Sequence, residues 1–219
     1  LYYLITISDR DRAEMLSAIY HAAGTGMVLT KLGRGTATGE QLSSYGLDAT
    51  EKAVVSTVAD AEQTRQIFRA AKRKLFIDIP GNGVMMAIPL KSVAGGRTLG
   101  FLTDSTQTGG KPAMDFSHEL IMAIMNEGYS DTVMDAARSA GAGGGTVLHA
   151  KGTGRARAEK FFGVSLADEK DVVYIVAHAE EKAAIMQAIA DNAGPGTKAG
   201  AICFSLPISQ VAGLRERDE

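Results

Sequence analysis

The chain has 219 residues, 45% hydrophobic and 22% charged, with a formal net charge of −2 at pH 7, which suits two domains of about 100 residues that each bury a core. No basic patch stands out, so nucleic acid is not an expected partner, and no stretch approaches the ~20 apolar residues of a membrane helix. The single Cys203 cannot close an internal disulfide, no signal peptide is visible, and a cytoplasmic setting with a missing N-terminus is expected, because Leu1 opens directly in a strand pattern.

Tyr2 to Ser8 is short, apolar and β-prone, and reads as a strand. From Arg10 to Ala23 the residues Met15, Leu16, Ile19 and Ala23 share one helical face, and Gly24 is the stop. Met27 to Leu32 is a second strand. Residues 33–50 hold no sustained period and read as a long loop. Ala53 to Ala59 is a buried strand. Ala61 to Lys74 is a helix, with Asp60 as its cap, Glu62 in the first turn and Lys72, Arg73 and Lys74 in the last. Pro80-Gly81-Asn82-Gly83 is a turn cluster, and Val84 to Leu90 closes the set as a strand.

The polar stretch Thr103 to Pro112 marks a linker. Domains are therefore expected at 1–102 and 117–219, joined by 103–116. The second half repeats the first. Glu119 to Met125 reads as a strand, Ser130 to Ala140 as a helix carrying Val133, Met134 and Ala137, and Thr146 to Ala150 as a strand. A loop follows over 152–169, then a strand over Val172 to Ala177. Glu180 to Ala190 is a helix carrying Ile185, Met186 and Ile189. Gly194 to Gly200 is a turn cluster, and Ala201 to Pro207 the last strand.

The two halves also match residue by residue at an offset of 117 to 119. Ile88-Pro89-Leu90-Lys91-Ser92-Val93-Ala94-Gly95 becomes Leu206-Pro207-Ile208-Ser209-Gln210-Val211-Ala212-Gly213, and Glu51-Lys52-Ala53-Val54-Val55 becomes Glu169-Lys170-Asp171-Val172-Val173. A period this long means two copies of one domain. Strand, helix, strand, strand, helix, strand is the ferredoxin-like order. The expected fold is α+β: tandem ferredoxin-like (βαββαβ) domains, each a four-stranded antiparallel sheet with two helices on one face. The other face needs cover, for which oligomerisation is a common answer.

Gly143-Gly144-Gly145 does not read as a dinucleotide fingerprint, because a helix ends before it and a strand follows, the reverse of what pyrophosphate binding needs. Two other glycine clusters recur in both halves. One opens the long loop, as Gly33-Arg34-Gly35-Thr36 and as Lys151-Gly152-Thr153-Gly154-Arg155. The other precedes the last strand, as Pro80 to Gly83 and as Gly194-Pro195-Gly196-Thr197-Lys198-Ala199-Gly200. Each cluster taken alone reads first as a turn. Together they can form anion-binding nests, and in this fold the end of the second strand and the start of the fourth can meet across a subunit boundary.

At these clusters the second half resembles the PII-type nitrogen regulatory proteins, with a strand ending in Lys-Gly-x-Gly-Arg, a long loop, and a Gly-rich turn before the closing strand. The resemblance implies homotrimers of ferredoxin-like domains that bind adenine nucleotides such as ATP or ADP between subunits and regulate transporters or enzymes through the long loop, here 33–50 and 152–169. It assigns the loop base to Gly152, Gly154 and Arg155, and the phosphate-holding turn to Gly196, Thr197, Lys198 and Gly200. Gly33, Arg34, Gly35, Gly81 and Gly83 are the first-half counterparts.

This chain departs from the family where a phosphate-binding lysine should follow the turn, since Ala201 and Val84 stand there. The family's two arginines after the last strand are also absent: Val211-Ala212-Gly213-Leu214 occupies that place, with Arg215 and Arg217 further on. Nor does Tyr45 lie in the family's modified-tyrosine motif. Two readings therefore stay open. One is a nucleotide-sensing regulator; the other is a binding module for a metal ion, bicarbonate or another anion, which the missing cations favour.

No catalytic constellation emerges. His21, His118, His149 and His178 have no histidine counterpart in the other half, and they lack metal-ligand spacing. Cys203 reads as a small buried side chain. The acidic group Asp168, Glu169 and Asp171 reads as a solvated loop end. The duplication itself is uneven: Lys151, Arg155 and Lys198 belong to the second half's glycine clusters, with Arg34 the first half's partial equivalent, which suggests one ligand-binding half and one more structural half.

Overall fold

The computed structural model describes residues 1–36, 51–90, 116–152, 160–161, 164–165 and 168–214. The predicted linker 103–116 lies outside them except for Phe116, as do most of both long loops. Two compact units emerge: Leu1–Leu32, Thr50–His118 and Pro207–Glu219 form one, while Gly33–Ala49 and Glu119–Leu206 form the other.

In unit 1, β1 (Tyr2–Asp9) lies antiparallel between β3 (Glu51–Ala59) and β4 (Val84–Pro89), with Leu4 opposite Thr57 on one side and Ala87 on the other. The start of β2 (Val28–Gly35) flanks β3. Alternation sends Leu4, Val55, Met85 and Ala87 to the face covered by α1 (Ala13–Ala22) and α2 (Ala61–Leu75), where they meet Leu16, Ile19, Tyr20, Ile67 and Phe68. Ile5, Val54, Met86 and Ile88 on the opposite face are buried too, which is why these strands read as near-continuous apolar runs. Within the core the Thr6 and Tyr20 hydroxyls bond each other, and burial pushes the Tyr20 phenol far above its ordinary value.

The helix expected from Arg10 begins instead with a 3₁₀ turn over Arg10–Arg12, because Arg12 swings out to other partners. The cap at Asp60 is a full capping box: its Oδ1 accepts from the Glu62 and Gln63 amides at 2.9 and 2.8 Å, and Gln63 Oε1 accepts from the Asp60 amide at 3.0 Å. Asp60→Ala is expected to lower the stability of unit 1 by about 1 kcal/mol, read as an earlier urea midpoint by circular dichroism.

Unit 2 repeats the pattern in the strand order β10 (Ile202–Ile208), β5 (His118–Asn126), β9 (Asp168–His178), β6 (Thr146–Gly152). Its core places Ile121, Ala123, Val147, Val173 and Ile175 under α3 (Ser130–Ser139) and α4 (Lys182–Ala193), which contribute Val133, Met134, Ile185 and Ile189. Both units are thus ferredoxin-like, as the element order predicts.

Three local differences from the sequence reading matter. Gly33 to Gly35 do not open a loop but extend β2, pairing with Leu148, Val147 and Thr146 of β6. The approach is close: a Cβ at Gly33 would stand 2.7 Å from the Val147 carbonyl oxygen. Within the 152–169 loop, two-residue strands β7 (Lys160–Phe161) and β8 (Val164–Ser165) pair with each other. Finally, Gln210–Ala212 forms an additional strand, β11, which lies antiparallel on β4 in unit 1.

Candidate ligand site

The Gly-rich turn of unit 2 joins α4 to β10. Its backbone is held from one side. Asn126, the last residue of β5, donates its amide N–H to the Ala199 carbonyl and its Nδ2 to the Lys198 carbonyl, both at 2.9 Å. Thr197 closes the turn on itself, its amide and its Oγ1 both donating to the Gly194 carbonyl at 2.9 Å. Ala201 donates to the Ala193 carbonyl at 2.8 Å. Gly196, Thr197 and Lys198 are left exposed, and a Cβ at Gly196 would meet nothing within 4 Å.

Asn126 also connects this turn to the start of β9. Lys170 Nζ donates to Asn126 Oδ1 at 2.6 Å. Beside Lys170, Glu169 stands opposite Lys151 and Asp168 opposite Gly152, the first residues of the predicted loop base. The loop base and the Gly-rich turn therefore share one end of the unit 2 sheet. Gly152 ends β6, while Gly154 and Arg155 lie outside the described residues.

At the same end Asp171 is only 2% exposed, so it is not the solvated loop residue that its acidic neighbours suggested. Its Oδ2 accepts from the Gly128 amide at 3.0 Å, and its Oδ1 lies 2.7 Å from His149 Nδ1 across the β6–β9 ladder. That carboxylate fastens the turn before α3 to the sheet through the Gly128 amide. Asn126, Lys170, Asp171 and His149 are the site-end residues that sequence reasoning missed. The comparison of the two halves held one signal: Lys52 recurs as Lys170, but its partner Asp9 becomes Asn126.

In unit 1 the corresponding turn is engaged by its own side chains. Arg12 donates to the Asn82 carbonyl at 3.3 Å, to Asn82 Oδ1 at 3.2 Å and to the Leu75 carbonyl at 3.4 Å. Asn82 Nδ2 donates to the Phe76 carbonyl at 3.0 Å. Gly81 and Gly83 both hold positive φ, at 99° and 127°. Nearby, Lys52 Nζ is neutralised by Asp9 Oδ1 at 2.5 Å. The contrast is electrostatic: Lys170 is hydrogen-bonded to a neutral amide where Lys52 meets a carboxylate.

The remaining candidates fall elsewhere. Arg34 faces Asp131 at 3.8 Å. Thr36 accepts from the Gly145 amide at 2.8 Å through Oγ1, and its carbonyl accepts from Arg138, so Gly145 serves a backbone contact. Cys203 Sγ points at the Met186 carbonyl 3.8 Å away, and burial pushes its thiol up, away from the reactive thiolate. Among the described residues no group of three or more His, Cys, Asp or Glu side chains is placed to hold a metal ion. None of the helices described is long and apolar enough to cross a membrane.

Comparison with known proteins supplies the family context. Residues 118–218 match the family model described as nitrogen regulatory protein P-II. Among solved structures, the crystal structure of Arabidopsis thaliana PII bound to citrate is 23% identical over 43% of this chain and 80% of that chain, with a TM-score of 0.35. Among curated proteins none matches.

Proposed function

This chain belongs, through residues 118–218, to the nitrogen regulatory protein P-II family and carries a second domain beside them, and on that premise we propose that it is a non-enzymatic signalling protein that senses an adenine nucleotide, ATP or ADP, at the Gly-rich turn of unit 2. The observation that carries the reading is the pair of cations at that turn. Lys198 is exposed on the turn, and Lys170, bonded to the neutral Asn126, keeps its charge uncompensated by that partner. Polyphosphate is the ligand class that suits exposed backbone and lysine together. Gly152, Gly154 and Arg155 at the loop base complete the ligand set by family analogy, and Gly196, Thr197 and Gly200 supply the turn.

The mechanism is a population shift. Ligand favours one state of the connection between β2 and β3 and of the one between β6 and β9, and a regulated transporter or enzyme reads that state. The working assembly is a homotrimer in the cytoplasm, with the ligand between subunits.

A second reading is favoured by Ala201, buried where the family has a phosphate-binding lysine: the same turn then holds a smaller anion such as bicarbonate. Isothermal titration separates the two. ATP or ADP is expected to bind folded protein with measurable heat. No heat from ATP, ADP or cyclic AMP, with heat from bicarbonate, would transfer the site to the smaller anion.

A further inference from the structure

Helix α2 of unit 1 sorts its residues by face. Ile67, Phe68, Ala71 and Leu75 are buried. Arg65, Arg69, Lys72 and Arg73 are exposed, and at 3.6 residues per turn they fall within a sector about 100° wide. The one acid of the helix, Glu62, bonds Arg65 at 2.5 Å. Among the described residues no carboxylate pairs with Arg69, Lys72 or Arg73. Along the sequence these cations are diluted in a chain of net charge −2, and only the helical turn gathers them.

The stripe runs into an apolar tip. Phe76 ends α2 in the left-handed region, at φ 51°, and among the described residues every other positive φ belongs to glycine. Glycine is the usual residue at such a helix end, because a side chain there is strained. Asn82 Nδ2 holds the Phe76 carbonyl at 3.0 Å. Yet Phe76 is 57% exposed, and Ile79, whose amide closes the next turn onto the Phe76 carbonyl, is 53% exposed. Phe76 thus bears backbone strain without burying its ring, and folding does not account for its place. Helix α4, the counterpart in unit 2, has neither feature: its only charges are Lys182 and Asp191, and a glycine, Gly194, ends it.

We propose that α2 and the turn after it form a docking surface for an anionic lipid bilayer, with the cations against the headgroups and Phe76 and Ile79 in the interfacial layer. A convex helix face offers no cleft to a rigid partner, and a fluid surface needs none. Nucleic acid would take the cations but gives Phe76 and Ile79 no apolar medium. Asp78, exposed between them, keeps the contact shallow and reversible. The surface uses no residue of the Gly-rich turn in unit 2, so it stands apart from the ligand reading.

The test floats the full chain with vesicles of phosphatidylcholine alone and of an equal mixture with phosphatidylglycerol. Binding is expected only to the mixture, and to fall as salt is raised. The triple variant Arg69→Gln, Lys72→Gln, Arg73→Gln keeps helix propensity and is expected to lose roughly a hundredfold in vesicle affinity, about fivefold per cation. It is also expected to keep its heat of ATP binding, so a failed flotation and a failed titration are told apart. Phe76→Gly is expected to weaken vesicle binding several-fold while its urea midpoint stays or rises, because the left-handed strain is gone. The chain has no tryptophan, so Phe76→Trp reports alone. Its emission is expected to shift to the blue with the mixed vesicles and to stay put with phosphatidylcholine. Equal affinity for both vesicle types, full binding by the triple variant, or an unshifted tryptophan on bound vesicles overturns the proposal. So does binding of RNA or an acidic polypeptide that the triple variant loses, without vesicle binding, which would give the stripe to a soluble polyanion.

Discussion

Gly83→Ala is expected to cost unit 1 about 3 kcal/mol or more, the upper range for a single substitution that combines backbone strain with a core clash. At φ 127° an L-residue is strained before any contact is considered. The added Cβ would also stand 2.5 Å from the Ile7 carbonyl oxygen, 2.9 Å from Ile77 Cδ1 and 3.1 Å from Ser8 Cβ. None of these can retreat cheaply. Ile7 is fixed in β1 opposite both Val54 and Val84, and Ile77 is fully buried. Hydrogen exchange reads the effect by unit: protection in β1 and β4 is expected to fall by roughly a hundredfold, while β5 and β9 keep theirs. Gly81→Ala is the control, since its φ is also positive but a Cβ there would meet nothing within 4 Å. Equal losses for the two substitutions would show that strain alone, not the approach of β1, governs the turn.

What the sequence made legible follows the reach of each signal. The ferredoxin-like order came from periodicity and from the repeat, and the cap at Asp60 from its place just before the helical run. Both hold. The boundary at Arg10 failed because Arg12 is drawn to Asn82, 70 residues away. Strand β11 was visible only as a repeated Pro-x-x-x-Val-Ala-Gly ending, because three residues carry no usable period and their partner β4 is more than 120 residues distant. Gly33 to Gly35 looked like a loop opening for the same reason: their pairing with β6 is not written nearby. Asp171 looked solvated because the groups that bury and bond it, Gly128 and His149, come from other elements. At the candidate site the glycines were readable as turns, but the residue that ties them to the loop base, Asn126, has no motif. It stands out only against Asp9.

That Asp9-to-Asn126 exchange yields the sharpest functional expectation. Asn126→Asp restores in unit 2 the ion pair that Lys52 and Asp9 make in unit 1, neutralising Lys170 beside the turn, and it also gives up the Nδ2 donor that holds the Lys198 carbonyl, so both changes act against the ligand. Lys198→Ala removes the exposed cation of the turn itself. Each is expected to weaken nucleotide binding about tenfold or more, some 1.4 kcal/mol per factor of ten, with the fold of unit 2 retained. Asn82→Ala, at the unit 1 turn, is expected to leave affinity unchanged. It deprives Arg12 of one acceptor and the Phe76 carbonyl of its donor, so its cost is about 1–2 kcal/mol of stability in unit 1. Titration calorimetry on the three variants, alongside their urea transitions, reads both columns. If Asn82→Ala lost affinity as Lys198→Ala does, both turns would hold ligand, and the division into one binding half and one structural half would be wrong. If Asn126→Asp bound normally while Lys198→Ala did not, Lys170 would serve only to brace the turn, and Lys198 would carry the anion without it.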